Sequence, residues 1–527
     1  MRFWRPLGQP LRWVALLCGA IPALAFPAAN LEFLGWVGLV PGLALMQAAP
    51  TRREAWVRGW WFGTGYLLAN MYWLTPNLGP ALLLVAIVLG FLWSAVGLAV
   101  WAYLRPPVTL GRAAAGLVVV PSAWLVTEWI RSWQGIGGPW AVLGASQWQH
   151  PVFLALAAAG GVWLVSFALV AANTGVLLAI TARSLAARLA GVVAIGVTVL
   201  AGPAIFALTS PPPVTQSITV ALVQPGLQGP KNLPAPRLAA SERLTASNAG
   251  RADLYVWGES SVGYYLGDRP RIAATIERLS GTARAEILLN QDALNSRGAT
   301  SKQALLVDSA GVQGSYIKTR LVPFGEYIPF RSALGWLSKI SKAASSNIVP
   351  GTGAKVLHAT LPGGRRLSFG ALICFESAFP DMSRVDTDNG AQVIFYQTSD
   401  STFQASWAPA QHAALSAVRA AETGRPVAQA ALTGDSAAFD DRGRQLAWAG
   451  TSYRGVLIVR LALPSVSSRT LYDQWGDYVP WTATGIAALA ALIGLVRIRR
   501  SRQAPANGAP AHTPVRIGLV RSRKSGG

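Results

Sequence analysis

The first 209 residues form a succession of apolar segments, each about 20 residues long, the length an α-helix needs to cross a bilayer. They fall at 10–29, 31–49, 56–75, 81–104, 113–130, 152–181 and 187–209, and an eighth follows at 479–496. The run at 152–181 exceeds what a bilayer requires, so it must tilt or break, with Gly160-Gly161 marking the place for a break. After Ser210-Pro211-Pro212-Pro213, which reads as a linker, the pattern changes. Short runs replace long ones: Ile218 to Val223, Leu254 to Trp257, Glu286 to Leu289, Leu305 to Val307, Leu367 to Cys374, Gln392 to Tyr396, Pro426 to Ala431 and Gly455 to Leu461. Most have strand length and are rich in β-branched or aromatic residues. Helical stretches lie between them at Ala235 to Ser247, Arg269 to Thr282 and Ala408 to Thr423. Strands alternating with helices predict a layered α/β domain.

The polar positions between spans predict an orientation. Arg2, Arg5 and Arg12 sit at the start, Arg52, Arg53 and Arg58 in the second loop, Arg105 and Arg112 in the fourth, and Arg183 and Arg188 in the sixth. The first and third loops carry no Lys or Arg, and the fifth opens on Glu128 and Arg131. Basic loops stay cytoplasmic, so the seventh span exits and the following segment is extracytoplasmic. A cleaved signal peptide would remove one span and break this alternation, so the first segment is read as retained. Leu17 is too bulky to precede a lipid-modified cysteine, and Cys18 reads as a buried apolar cysteine. The expected organisation is a seven-span bundle at 1–210, an extracytoplasmic α/β domain at 211–465, a connector and last span at 466–500, and a basic, disordered cytoplasmic tail at 501–527.

Composition agrees. Of 527 residues, 52% are hydrophobic and only 13% charged, against about 25% charged in an ordinary soluble protein. The net charge of +22 first suggests nucleic acid. The basic residues lie instead in short loops and in a tail after Val496, which fits membrane topology, and no nucleic-acid partner is expected. The two cysteines, Cys18 and Cys374, make no disulfide framework, and there is no CxxC, HExxH or phosphate-binding glycine motif. No metal, nucleotide or other cofactor is expected.

Three stretches carry candidate chemistry. Val256-Trp257-Gly258-Glu259-Ser260 places a carboxylate at a strand end. Lys318 follows Tyr316-Ile317 and precedes Leu321-Val322-Pro323-Phe324-Gly325-Glu326-Tyr327, so a second Glu stands eight positions on. Gly370-Ala371-Leu372-Ile373-Cys374-Phe375-Glu376 ends an apolar strand on a lone cysteine. Alone, each has a plain structural reading: a buried thiol, a helix-terminal carboxylate, a surface lysine. Together and in this order they resemble the carbon–nitrogen hydrolase (nitrilase) superfamily. The preceding spans and the Leu-Val-Pro-Phe-Gly-Glu run resemble one branch of it, the apolipoprotein N-acyltransferases. Tyr72-Trp73-Leu74, Glu128 with Arg131, Gly138-Pro139-Trp140, Leu143-Gly144, Ser146-Gln147, Gln411-His412, Arg419-Ala420, Glu422 to Pro426, Thr433-Gly434 and Gly476-Asp477 are similar to that family's motifs.

The resemblance implies a membrane bundle of about eight spans carrying an α-β-β-α sandwich on the extracytoplasmic face of a bacterial inner membrane. It implies transfer of an acyl chain from a phospholipid to the enzyme's cysteine, then to the amine of a diacylglyceryl-cysteine apolipoprotein. Cys374 would be the nucleophile, Glu259 the general base and Lys318 the oxyanion-stabilising cation. Glu326 and Glu376 would orient Lys318 and line the pocket with Phe375, and a monomer is expected. The chemistry is self-consistent: a thiol needs a base or cation nearby, a carboxylate moves the proton, and a fixed ammonium favours the tetrahedral state.

The chain departs from the family pattern in three places. Phe375 replaces a common Tyr, so any role for that hydroxyl is lost. Ser399-Asp400-Ser401-Thr402-Phe403 stands where Asn-Asp-Ala-Trp-Phe is usual, and no Trp follows Gln224-Pro225-Gly226 before or near Lys231. Two competing readings are a membrane-tethered amidase or nitrilase acting on a small amide, and a non-catalytic membrane scaffold.

Overall fold

Thr51 starts the first long helix. Its side chain accepts a hydrogen bond from the Glu54 amide at 3.1 Å, an N-cap contact, and the helix runs Arg52–Met71. Arg52, Arg53 and Arg58, expected in a loop, therefore lie in its first two turns. An ion-pair cluster makes this possible: Glu54 takes Arg12 at 2.7 Å and Arg58 at 3.2 Å. Paired charges lose much of the penalty of burial among apolar helices. The computed structural model describes residues 10–229, 232–294, 300–335 and 348–503. Of the expected basic tail, positions 504–527 lie outside the described residues, as do Arg2, Arg5 and Lys231.

Among the described residues, five helices are long and apolar enough to cross a membrane by length and composition: Ala81–Leu104, Leu110–Arg131, Leu156–Thr181, Leu185–Leu208 and Tyr478–Arg497. Two of the expected spans are shorter, at Pro10–Ala25 and Leu34–Gln47. Leu185–Leu208 presents Leu189, Val193, Val197 and Leu200 outward, and the last helix presents Leu489 and Leu492. Uncovered apolar helix surface of this extent calls for an apolar solvent. Inside the bundle, glycines bring backbones together. A Cβ on Gly65 would stand 1.9 Å from the Leu16 carbonyl oxygen, and one on Gly175 would stand 2.6 Å from that of Gly191. Close backbone approach through small residues is how helices pack where the hydrophobic effect is weak.

The overlong run does break. Gly160 and Gly161 leave helical geometry at φ −143° and φ 69°, the second a conformation that suits glycine. The break frees the Val162 amide, and Glu422, from the α/β region, accepts its hydrogen bond at 2.7 Å. Next to it, the Trp163 indole donates to Asp477 at 3.0 Å.

Among the described residues, twelve strands form two six-stranded sheets. In chain order they are β1 (Val214–Gln224), β2 (Leu254–Trp257), β3 (Glu286–Leu294), β4 (Thr300–Asp308), β5 (Gly311–Ile317), β6 (Val356–Thr360), β7 (Arg366–Ile373), β8 (Val393–Thr398), β9 (Val427–Ala431), β10 (Ser436–Phe439), β11 (Gln445–Ala449) and β12 (Gly455–Pro464). One sheet has the order β12-β1-β2-β3-β4-β5 and the other β11-β10-β9-β8-β7-β6. In each, three parallel strands, β1-β2-β3 and β7-β8-β9, sit between antiparallel flanks. Helices Pro234–Ala246 and Pro270–Ala283 cover the first sheet, and Pro380–Asp388 and Ala408–Thr423 cover the second. The layers are α-β-β-α. The Gln397 side chain crosses between the sheets, donating to the Trp257 carbonyl at 2.9 Å. The parallel strands are buried almost throughout, as the continuous apolar runs require.

Candidate active site

The three candidate residues come from strand ends on both sheets. Glu259 lies two residues beyond β2, Lys318 directly after β5, and Cys374 directly after β7. Sites outside the carboxyl ends of parallel strands are the rule in α/β folds. Cys374 turns out of its strand at φ 53°, where a short 3₁₀ turn, Cys374–Ala378, begins. For a side chain other than glycine's or asparagine's this backbone state is uncommon, and such residues cluster at functional sites.

The structure brings all three together. The Lys318 ammonium is fully buried and donates to Glu259 Oε1 at 3.1 Å and to Glu326 Oε1 at 2.8 Å. Glu326 is itself fixed: its Oε2 accepts from the Val322 amide at 2.9 Å. The Cys374 thiol stands within the electrostatic reach of both the Glu259 carboxylate and the Lys318 ammonium. Cys374 as a residue is partly buried.

Proton positions follow from the charges. Burial alone raises a carboxyl pKa, but the ammonium ions of Lys318 and Lys302 outweigh it and hold Glu259 below the ordinary glutamate value. Burial lowers a lysine, yet the Glu259 and Glu326 carboxylates push Lys318 well above its usual range. Burial, with the negative Glu259 beside it, pushes the Cys374 thiol well up against the opposing pull of Lys318. At neutral pH the site therefore holds a thiol, a carboxylate to receive its proton, and a permanent cation.

Among the described residues, Glu376 makes no hydrogen bond or ion pair with Lys318. Its Oε1 accepts from the Tyr316 hydroxyl at 2.7 Å and from the amides of Thr319 at 2.7 Å and Arg320 at 3.0 Å, and its Oε2 accepts from the Ile373 amide at 2.8 Å. It pins the Lys318 segment to the end of β7. Phe375 packs edge-on against Phe379 at 5.1 Å, and Gly138 of the bundle is held close against both rings.

Neighbours without an expected role also appear. The Lys302 ammonium pairs with Asp292 at 2.6 Å and donates to the Ser260 hydroxyl. His412 bonds through Nδ1 to Asp400 Oδ1 and through Nε2 to the Cys374 carbonyl oxygen, each at 3.0 Å. Asp400 belongs to the divergent Ser399–Phe403 stretch. Phe403 meets Trp73 at 4.9 Å, Trp73 meets Trp140 at 5.0 Å, and Trp140 meets the His412 ring at 5.4 Å. An aromatic wall from the bundle thus reaches the turn that holds the cysteine. The sequence signal for His412 was a polar pair, Gln411-His412, in a helix otherwise rich in alanine. Among the described residues there is no cluster of His, Cys, Asp and Glu able to hold a metal ion.

Residues 18–175 match the family model described as apolipoprotein N-acyltransferase N-terminal domain, and residues 219–469 match that of carbon-nitrogen hydrolase. An apolipoprotein N-acyltransferase from Geobacter metallireducens is 31% identical, the alignment covering 92% of this chain and 95% of the relative. The chain belongs to the apolipoprotein N-acyltransferase family. Other family members are similar over comparable lengths. One from Allorhizobium ampelinum is 31% identical over 91% of this chain and 95% of its own, and one from Chlorobaculum tepidum is 28% identical over 94% and 98%. Among solved structures, an amidase from Nesterenkonia sp. aligns with 19% identity and a TM-score of 0.35, covering 50% of this chain and all of its own. This apolipoprotein N-acyltransferase family member is thus a bacterial-type membrane protein with a carbon-nitrogen hydrolase region.

Proposed function

We propose that this protein transfers an acyl chain from a phospholipid, through a thioester on Cys374, to the N-terminal amine of a diacylglyceryl-cysteine apolipoprotein. The meeting of the Cys374 thiol, the Glu259 carboxylate and the buried Lys318 ammonium carries the reading. Glu259 takes the thiol proton as sulfur attacks the ester carbonyl, and Lys318 stabilises the oxyanion. The C–O bond breaks, the lysophospholipid oxygen leaves with the proton from Glu259, and the acyl group stays on sulfur. The incoming amine loses a proton to Glu259, attacks the thioester, and expels Cys374 as thiol with an amide formed. Glu326 and Glu376 are positioning residues, one for the ammonium and one for the backbone around it, while Phe375 packs beside the nucleophile.

The organisation proposed for this activity is the seven-span bundle at 1–210, the catalytic domain at 211–465, the connector and eighth span at 466–500 and the cytoplasmic tail at 501–527. Basic loops put the bundle's polar ends in the cytoplasm and the thiol on the extracytoplasmic side of the inner membrane. There, both lipid substrates reach a monomer by lateral diffusion. The test is mass spectrometry of Cys374 and of a lipoprotein N-terminus after incubation with phospholipid vesicles. One added acyl chain on each is expected for the wild type and on neither for Cys374→Ala. Wild-type-level transfer by that variant overturns the assignment.

A further inference from the structure

The His412 ring is buried and held on three sides. Nε2 faces the Cys374 carbonyl oxygen and Nδ1 faces Asp400 Oδ1, each at 3.0 Å. The edge of Trp140 packs on the ring, and the Trp140 indole donates to Gln411 at 2.9 Å. A carbonyl oxygen only accepts, so Nε2 must carry a proton. A proton also lies between Nδ1 and the carboxylate, because two facing lone pairs would repel. The pair is an imidazolium and a carboxylate, or their hydrogen-bonded neutral equivalents. In either form Nε2 donates to the nucleophile's own carbonyl.

A peptide group is planar and trans, so its N–H points opposite to its C=O. Fixing the Cys374 carbonyl toward His412 therefore turns the Phe375 N–H to the other side of the same plane. The amide following a nucleophile is the backbone donor nearest the developing oxyanion in strand-to-turn nucleophile sites. The strained φ of Cys374 leaves this peptide without the support of a regular strand, so an outside anchor is needed to hold it.

We propose that His412 is a positioning residue for the transfer reaction: anchored by Asp400 and Trp140, it grips the Cys374 carbonyl and so presents the Phe375 amide to the oxyanion alongside the Lys318 ammonium. This rests on the acyl-transfer reading of Cys374. It predicts a selective defect. Steps that form a tetrahedral oxyanion depend on His412, whereas simple displacement at sulfur does not.

The test uses the full-length protein in detergent micelles, with two reactions of Cys374. One is single-turnover thioester formation from a phosphatidylethanolamine bearing an isotopically labelled acyl chain. The other is alkylation by iodoacetamide, which forms no oxyanion. His412→Phe keeps the ring and removes the donor. It is expected to slow thioester formation about 100-fold, the range for losing an oxyanion donor, with the alkylation rate unchanged. His412→Gln carries a side-chain amide able to reach the same carbonyl and is expected to restore about tenfold of that loss. Thioester formation at the wild-type rate in His412→Phe overturns the proposal, and so does an equal loss in both reactions. A wild-type enzyme that forms no thioester while alkylating normally would instead sink the acyl-transfer reading itself.

Discussion

The two ends of the β7 neighbourhood hold buried acids in opposite states. In front of the strand end, Glu259 and Glu326 share the Lys318 ammonium, and Glu259 stays ionised despite its burial. Behind the sheet, burial and the nearby Glu376 raise Asp386 to about 8, and neither of its oxygens has a hydrogen-bond partner among the described residues. Glu422 does have Arg419 at 3.1 Å, yet burial, with Asp477 and Asp473 adding to it, takes it to about 7. The contrast teaches that burial alone makes an acid neutral. Two ammonium groups acting on the same carboxylate keep Glu259 available as a base.

The strongest way to break this comparison is to remove the cation. Lys318→Met should abolish thioester formation, by at least about 1,000-fold, since it removes both the oxyanion partner and the charge holding Glu259 ionised. A rate near wild type in a vesicle assay would refute that linkage. Glu326→Gln should cost less, about 10- to 100-fold, because Lys318 keeps Glu259 but loses its second anchor. Its signature is a fall in the maximal rate with little change in half-saturating phospholipid.

A pH profile sharpens the comparison further. Glu259 is depressed below its ordinary 4.5, so the acid limb of thioester formation should lie below that value. Lys302→Met removes one of the two cations responsible and should move the limb upward. An unmoved limb would show that Lys318 alone sets it. The remaining effect is on stability. Asp386 keeps its proton in the folded state up to about 8 but releases it near 4 when unfolded, about the ordinary aspartate value. Between those values the unfolded chain binds fewer protons, so stability falls as pH rises. Asp386→Asn removes that slope. Thermal unfolding of the two proteins should shift in the variant's favour as pH rises from 5 to 8, by about 1.4 kcal/mol for each pH unit. A constant difference across that range would mean Asp386 is ionised in the fold.

The interior strands were legible because they are continuously apolar: Leu254–Trp257 and Val427–Ala431 are buried at every position. Three of the four strands that the pattern missed, β5, β6 and β11, are sheet edges. An edge strand is half solvated and carries mixed residues, as Gly-Val-Gln-Gly-Ser-Tyr-Ile does in β5. The fourth, β10, is Ser-Ala-Ala-Phe, buried but small and weak in strand propensity. Lys318 was nevertheless found, through its flanking motif and not through β5. The division of labour between Glu326 and Glu376 was not legible. Both are acids near a site residue in the chain, and only the fold aims one at an ammonium and the other at four donors. The Asp400–His412 contact joins residues twelve apart, in a loop and a helix, a relation no spacing rule describes.

The break at Gly160-Gly161 has a mechanical consequence. Where no water can replace a lost partner, an exposed amide is costly, and here the Val162 amide is satisfied only while Glu422 stays in place. The sandwich therefore cannot rock on its pedestal without leaving a donor bare.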